Sequence, residues 1–228
     1  MIIREFGIAL YALIHFCKLN LILSPPLSKQ TTNMYLPDHF KIEDLAEIDI
    51  FLKRYNFGQL ITQQDGQMTA THMPFLVDLE NNKLLGHFAR ANLHWKSVDN
   101  QTALIIFSGP HDYISPSWYQ SPGVPTWNYQ AVHIYGTCRI IDDDSGKSDI
   151  VNQLSQIHEA GFEKPWKPEY PESMLRGIVG LEITLTDLQA KYKLSQNRSA
   201  TDQQGAIDHL NESGSTDLAN AMQKHPVK

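Results

Sequence analysis

The spacing of apolar residues changes from a helical period to a strand period shortly after residue 55. Leu45, Ile48, Leu52 and Tyr55 recur with the period of a helix, and the acidic Asp44 stands at its start. From residue 57 onward, short runs of β-branched and aromatic residues alternate with turn residues, which is typical of strands. The predicted strands are Phe57–Thr62, Met68–Leu79, Lys83–His87, Thr102–Phe107, Trp127–Ile141, Leu181–Thr186 and Gln189–Leu194.

Helical patterns and one long loop fill the gaps between these strands. The chain predicts a short helix over Asn92–Val98, an amphipathic helix over Ile150–His158, and a third over Pro171–Arg176 with proline at its permitted N-terminal position. Ser108–Val124 is expected to be a structured loop. From Asp202 onward, we expect one or two small helices that lead into a polar end.

Many short strands with turn-length connections and peripheral helices favour a closed antiparallel barrel, because closure removes exposed sheet edges. The predicted fold class is therefore mainly β with flanking helices. The barrel domain is expected at residues 34–212, and residues 213–228 are expected to form a C-terminal tail.

The first 33 residues differ from the rest. Ile8–Phe16 is apolar, but His15, Lys18 and Asn20 interrupt the run, and no clean cleavage site follows. The run is too short to span a bilayer. We therefore expect residues 1–33 to be a dispensable extension rather than an export signal, and we expect the folded domain to begin near Met34.

Composition and charge limit the possible partners. The chain has 228 residues, is 42% hydrophobic and carries a formal charge of −6, and its first 33 residues hold three bases and one acid. An acidic chain with no run of Lys and Arg is a poor candidate for direct DNA binding, which usually needs a basic patch. The two cysteines, Cys17 and Cys138, form no CxxC motif, which favours the cytoplasm.

Three segments combine polar groups with aromatic residues. In Val124–Gly136, polar residues interrupt an aromatic strand that could line a flat ligand. In Gly86–Trp95, Arg90 and Asn92 stand where a strand enters a helix, and free backbone N–H groups there could bind an anion. A capping Asn92 and a solvated Arg90 explain that segment equally well. Lys191–Arg198 gathers three cations, which could meet a phosphate, a flavin carbonyl or an acidic subunit surface, or could be an exposed strand end.

Other catalytic and metal motifs are missing from the sequence. Ser115 lacks the G-x-S-x-G elbow of a nucleophilic serine, and no GxGxxG or Walker loop is present. Ten histidines occur without the spacing typical of zinc sites. We interpret four of them as hydrogen-bonded barrel residues: His72, His87, His111 and His133. No metal site is predicted.

Several segments together resemble the PaiB family, whose members are known as FMN-binding negative transcriptional regulators linked to sporulation and protease synthesis. The matching segments are Met34–Phe40, Gly86–Asn92, Gly109–Tyr119, Val124–Tyr129 and Lys193–Arg198. They occur in the family's order and span roughly residues 34–210. The resemblance also supports a start at Met34, where family members usually begin.

The resemblance implies an FMN-binding split β-barrel, related to pyridoxamine-phosphate-oxidase-like proteins, that forms a homodimer with flavin sites at the subunit interface. It implies that His87, Arg90 and Asn92 lie where the flavin phosphate binds, and that Thr71–Pro74, including His72, borders the flavin ring. It further implies that Trp127, Asn128 and the strand end over Lys193–Arg198 close the pocket, some of them from the partner chain. The residues of that strand end expected to bind the cofactor are Lys193, Ser195, Gln196 and Arg198.

Two functions follow from this resemblance, and a third stays open beside them. The first is a flavin-binding regulator that acts on transcription indirectly, since no helix-turn-helix is evident. The second is a flavin-dependent oxidoreductase acting on a small molecule, in which the protein supplies orientation to the cofactor. The third, a haem-binding or other ligand-binding barrel, lacks any ligand motif of its own.

Overall fold

Eight strands form one antiparallel sheet in the computed structural model, which describes residues 34–227. The strands are β1 (Lys41–Ile42), β2 (Phe57–Gln64), β3 (Gln67–Pro74), β4 (Leu76–Asp78), β5 (Lys83–Ala89), β6 (Thr102–Ile114), β7 (Thr126–Ile141) and β8 (Ile178–Lys193). The α-helices are α1 (Leu45–Arg54), α2 (Asp144–Glu159), α3 (Ala200–Ser213) and α4 (Thr216–Lys224). The predicted N-terminal extension, residues 1–33, lies outside the described residues.

The strand order is β3-β2-β6-β7-β8-β5-β4, and β1 pairs with the far end of β8. This confirms the predicted class, mainly β with flanking helices. The barrel closes through the chain itself, because β3 and β4 are the two ends of the hydrogen-bonded path and only Phe75 separates them. Strand β3 ends at Pro74 because proline has no N–H to donate. The next N–H, that of Phe75, donates to the carbonyl of Asn56 at 2.9 Å. The single strand predicted over Met68–Leu79 is therefore two strands.

Buried and exposed positions alternate along the central strands, so every second side chain points into the barrel. In β7 the inward positions include Val132 and Ile134, and β6 contributes Ile105 and Phe107. All four are fully buried. This interior is the main hydrophobic core, and helix α1 covers one end of it with Ile48, Phe51 and Leu52.

Helix α1 forms where the sequence predicted it, because its apolar stripe has a core to cover and its first turn has a cap. The Asp44 carboxylate accepts hydrogen bonds from the backbone N–H groups of Ala46 at 2.9 Å and Glu47 at 3.3 Å. Helix α2 covers a different part of the sheet. Its Ile150 and Leu154 pack with Leu76 and Ile141 in a second, smaller apolar cluster.

The loop expected over Ser108–Val124 is largely a strand. Strand β6 continues to Ile114 because a bulge absorbs the irregular part: pairing with β7 skips from Ser108 to His111. Gly109 lies in this bulge, where a Cβ atom would come within 2.5 Å of Cε2 of Phe51. The bulge therefore lets α1 approach the strand closely, and the irregular loop begins only at Ser115.

The C-terminal residues add two packed helices. The carboxylate of Asp202 in α3 accepts the backbone N–H groups of Gln120 at 2.8 Å and Ser121 at 3.1 Å, which fixes the loop after β6. The polar composition of residues 213–228 predicts a tail, but α4 lies within them and buries Leu218 and Met222 in the main core. None of the helices in the described part of the chain has the length and apolar character needed to cross a membrane.

Candidate functional site

The outer face of the sheet carries one register row of polar and apolar groups across five strands. His72 of β3 pairs with Gln59, Gln59 with Ile106, Ile106 with His133, and His133 with Gln189 of β8. Directly paired residues in antiparallel strands share a face, so all five side chains lie on the same side of the sheet. Strands lie about 4.8 Å apart, so this row spans about 19 Å.

The end of this face near the β6–β7–β8 strand ends gathers aromatic rings and cations. We call it the aromatic–basic patch, and its members are Tyr113, Trp127, Tyr129, Lys191, Lys193 and Arg198. Register brings them together, since Trp127 pairs with Tyr113 and Tyr129 pairs with Lys193. The Trp127 and Tyr113 rings meet edge-on with centroids 6.3 Å apart. Trp127 stays 54% exposed, so its ring is available to a ligand or a partner.

The three cations of the patch are held without carboxylates. Lys193 Nζ donates to Thr126 Oγ1 and to the carbonyl of Trp127, both at 2.6 Å. Lys191 Nζ donates to the carbonyl of Tyr35 at 2.6 Å and lies 5.6 Å from the centroid of the Tyr129 ring. Arg198 stacks over the Tyr119 ring at 4.6 Å. Within residues 34–227, none of the three forms an ion pair.

Burial and this uncompensated positive charge both lower the pKa of Lys193. Burial lowers that pKa below its usual value, and the neighbouring charges of Lys191 and Arg198 lower it further. An anion at the patch would relieve both repulsions, because an opposite charge within a few ångströms favours the charged ammonium form. The patch is therefore suited to a phosphate or to the electron-rich carbonyl edge of a heteroaromatic ring.

Three of the predicted cofactor ligands lie just behind the patch, with hydrogen bonds inside the protein. Asn128 is fully buried, and its Nδ2 donates to Ser195 Oγ at 2.9 Å, whereas its Oδ1 has no partner among the described residues. Ser195 itself has a φ of 67° and is buried. The Gln196 amide caps its own strand end, accepting from the N–H of Leu194 and donating to the carbonyl of Tyr192, both at 2.7 Å. Their contact with a cofactor stays a prediction.

His87 and Arg90 lie at the opposite end of β8 from the patch. His87 pairs with Gly180 and Lys193 pairs with Tyr129, so one protomer does not bring these predicted ligands together. Burial lowers the pKa of His87, and its Nδ1 has no hydrogen-bond partner in the described residues, unlike the hydrogen-bonded state expected for it.

Arg90 uses most of its donors inside the protein. Its guanidinium forms a two-pronged pair with Asp142 and donates to the carbonyls of Arg176 at 2.7 Å and Ile178 at 2.9 Å. These four bonds leave one of its five N–H groups without a protein acceptor. The assignment of Arg90 to the flavin phosphate stays a prediction, and an ion-pair role accounts for its present contacts.

Asn92 belongs to a buried hydrogen-bond network that the sequence did not predict. Asn92 caps the short 3-10 helix Leu93–Ser97, and its Nδ2 donates to Thr71 Oγ1 at 3.1 Å. The buried imidazole of His94 bridges Thr71 and Thr62, with nitrogen-to-oxygen distances of 2.8 and 2.7 Å. Burial lowers the pKa of His94. The network fixes the part of β3 that carries His72.

Comparison with known proteins identifies the family to which this chain belongs. The family model described as "Putative FMN-binding domain" matches residues 34–187. The Bacillus subtilis protein named "Protease synthase and sporulation protein PAI 2" is 40% identical over 185 residues, which covers 78% of this chain and 89% of that protein. The chain belongs to the PaiB family. Its family model names FMN, which confirms the cofactor predicted from the sequence.

Solved structures support the fold. The FAD and haem binding protein from Mycobacterium smegmatis is similar with a TM-score of 0.58 at 14% identity, over 73% of this chain and 79% of that one. The flavocytochrome Anf3 from Azotobacter vinelandii is similar with a TM-score of 0.55 at 14% identity, over 67% and 69% of the two chains. The fold of this PaiB-family chain is thus a flavoprotein split barrel, as predicted.

Three members of the patch were not among the predicted cofactor ligands of this PaiB-family chain: Tyr113, Tyr129 and Lys191. Lys191 stands two residues before Lys193, and the period of two in a strand places both on one face. Tyr129 stands two residues after Trp127 and pairs with Lys193 by register. The alternation was visible in the sequence, but the pairing of β7 with β8 was not, and only that pairing joins the two segments.

Proposed function

We propose that the protein is a homodimeric, FMN-binding regulator of the PaiB type, which lowers gene expression without contacting DNA itself. The observation that carries the proposal is the outer face of the sheet, with its half-buried apolar residues Leu104, Ile106 and Ala131 and its aromatic–basic patch. The proposed location is the cytoplasm, in keeping with a chain that has two cysteines and keeps Cys138 buried as a free thiol.

The dimer is supported by the kind of residue that faces outward. An antiparallel sheet with one solvated face usually presents polar residues to water. Here Leu104 and Ile106 of β6 and Ala131 of β7 face outward and are only half-buried. Phe57 and Met68, on the adjoining hairpin, are 63% and 61% exposed. Such a surface is typical of an interface between subunits, and a second copy of the chain is the partner proposed for it.

The flavin site is supported by the chemistry of the patch. Lys191 and Lys193 offer positive charge that no carboxylate in residues 34–227 neutralises, and the exposed ring of Trp127 offers an apolar surface beside it. These residues fit an anionic cofactor with a planar aromatic ring. Bound FMN would supply hydride or single-electron transfer, whereas the protein supplies charge, orientation and shielding from water.

Indirect action on transcription is supported by charge. The whole chain carries −6, and Arg54, Arg90 and Arg139 are each paired with a carboxylate. Duplex DNA carries one negative charge per about 1.7 Å of helix axis, so it would meet net repulsion. The name of the Bacillus subtilis relative connects that protein with protease synthesis and sporulation, which supports a regulatory role.

The dimer is tested by placing a charge on the outer face. We expect Ile106→Glu to sediment as a monomer where the natural protein sediments as a dimer, and to bind FMN more weakly. The matched control is Ile157→Glu, which alters a 52% exposed isoleucine of helix α2 and is expected to stay dimeric. An Ile106→Glu protein that remains fully dimeric would remove the outer face as the interface.

The regulatory role is tested with DNA and with reduced nicotinamide. We expect no shift of promoter DNA at low salt, together with increased transcription of target genes when the protein is deleted from its cell. A direct promoter shift would contradict indirect action. Catalytic oxidation of reduced nicotinamide with turnover of an added acceptor would favour the alternative function, a flavin-dependent oxidoreductase.

A further inference from the structure

One edge of strand β3 has no neighbouring strand. Strand β3 pairs with β2 on one side, and on the other side it ends the hydrogen-bonded path of the sheet. The barrel closes only beyond the C-terminal end of β3, at Phe75. The four consecutive residues Gln67–Ala70 are exposed, so neither face of the hairpin is covered there. The free side of β3 is therefore open to a partner.

The hairpin turn decides which backbone groups point to this open side. Asp65 and Gly66 form a two-residue turn with φ angles of 51° and 80°, and Gln64 stands opposite Gln67. The two residues that flank such a turn exchange both hydrogen bonds, and bonded and non-bonded pairs then alternate along the ladder. From Gln67 onward, the odd-numbered residues of β3 therefore bond to β2.

The even-numbered residues of β3 direct their N–H and C=O groups to the open side. These residues are Met68, Ala70 and His72. None of their backbone groups has a hydrogen-bond partner within residues 34–227. A row of unpaired donors and acceptors of this kind is a template for a further strand.

The row is complementary to itself. Two copies of β3 can lie antiparallel about a two-fold axis at Ala70. Met68 of each copy then stands opposite His72 of the other, and the two Ala70 residues stand opposite each other. Each of these opposed pairs exchanges two hydrogen bonds, so every free N–H and C=O group of the row finds a partner. A contact of this form is isologous, as most contacts in homo-oligomers are.

The edge also lacks the usual protection against such pairing. Natural sheets block open edges with charged side chains, proline or bulges. The chain has no Asp, Glu, Lys or Arg between Asp65 and Asp78, and Pro74 stands only at the last position of β3. The register with β2 runs without interruption over Gln67–Pro74, so no bulge bends the strand. Nothing within the strand therefore opposes the addition of a second strand.

We propose that the free edge of β3 is a self-association site, which pairs with the β3 edge of a second copy of this chain. The contact extends the sheet sideways and is separate from the outer face. A homodimer formed through the outer face would therefore associate further, to a tetramer where the two kinds of contact close. The edge contact buries few side chains, so the association is weak and depends on protein concentration.

The test is residue-resolved hydrogen exchange, with sedimentation velocity, at protein concentrations from about 10 μM to about 1 mM, a range that brackets weak contacts. We expect exchange of the edge N–H groups of Met68, Ala70 and His72 to slow about tenfold or more as the concentration rises, while a faster-sedimenting species appears. The N–H groups of Thr69 and Thr71 already bond to β2, so they serve as internal controls whose exchange changes far less.

Two substitutions address the pairing directly. Ala70→Pro removes an N–H that points away from β2, where an edge strand tolerates proline, and should abolish the larger species. Thr69→Lys keeps every backbone donor but places a charge at the edge, and should weaken the association about tenfold or more. The matched control Gln64→Lys adds the same charge to β2 of the same hairpin and should associate as the natural protein does.

Rapid exchange of the edge N–H groups at every protein concentration would overturn the proposal and leave the edge to a different partner. Unchanged association of Thr69→Lys would also overturn it. Ile106→Glu keeps this outcome separate from the outer-face dimer, because it alters the outer face alone and should retain the concentration-dependent protection of the β3 edge. Loss of that protection in Ile106→Glu would contradict a contact separate from the outer face.

Discussion

Replacing Met222 with alanine tests whether the C-terminal helix is part of the folded core. Met222 lies on α4 and is fully buried among the main-core residues. Its Sδ lies 3.5 Å from Nδ2 of Asn128, directly behind the aromatic–basic patch. Truncation would leave a cavity in the core and would remove that contact with sulfur, while Asn128 keeps its hydrogen bond to Ser195.

The expected loss follows from burial. Truncating a fully buried methionine to alanine typically costs about 2–5 kcal/mol in the free energy of unfolding, and partial collapse of the site sets the value within that range. Loss of the weak contact to sulfur adds little, so we expect about 3 kcal/mol. The assay is urea denaturation followed by tryptophan fluorescence, with an unchanged m value.

The matched control is another methionine in a different environment. Met174 is 63% exposed, so Met174→Ala should change the free energy of unfolding by less than about 0.5 kcal/mol. If Met222→Ala cost less than about 1 kcal/mol, α4 would not pack on the core as described.

Two further predictions test the bulge and the buried carboxylate. Gly109→Ala should lower the free energy of unfolding by about 1–3 kcal/mol, because the added Cβ would come within 2.5 Å of Cε2 of Phe51. The control Gly161→Ala places its Cβ in open space and should be nearly neutral. Equal losses of stability in the two variants on urea denaturation would contradict the close approach of Phe51 to Gly109. The Ser121 hydroxyl and nearby N–H groups lower the pKa of Asp202 from 3.8 to about 2, so its stabilising effect is present above pH 3.8 and is lost as the pH falls through 2. Asp202→Asn should therefore flatten the fall of stability between these pH values, and a parallel fall in both proteins would refute that reasoning.

The sequence predicted the strands well where alternation was strict and failed where a local irregularity intervened. Thr102–Phe107 and Trp127–Ile141 were recognised because β-branched and aromatic residues dominate them. The extension of β6 to Ile114 was missed because Gly109 and Pro110 are typical of a loop. In the structure those two residues form a bulge, and pairing resumes at His111.

Individual residues of the candidate site could be predicted from the sequence, but their proximity in the fold could not. The resemblance to the PaiB family implied Trp127, Lys193 and Arg198, and the aromatic strand and the cluster of cations that contain them are visible in the sequence. Their meeting depends on β7 pairing with β8, two strands about 50 residues apart in the chain, and a single sequence contains no information on that register. Likewise, the ion pair of Arg90 with Asp142 joins residues that directly follow two separate strands, β5 and β7, so Arg90 looked free for a phosphate.

The packed C-terminus was missed because its composition is polar. Only Leu218, Ala219, Ala221 and Met222 of α4 are buried, and two of these are small. A sequence window with so few large apolar residues resembles a solvated tail. The barrel end that they cover is assembled from β6, β7 and β8, which a local pattern does not reveal.

The most direct test of the account is a fluorescence titration of the apoprotein with FMN, comparing the natural protein with Lys193→Met. If the aromatic–basic patch is the flavin site, one FMN binds per chain, and its affinity falls about tenfold or more in Lys193→Met, since a charge-assisted hydrogen bond contributes about 1.5–3 kcal/mol. The control Lys53→Met, which alters an exposed lysine paired with Asp49, should bind FMN as the natural protein does. Equal affinity in all three proteins would contradict the aromatic–basic patch as the flavin site.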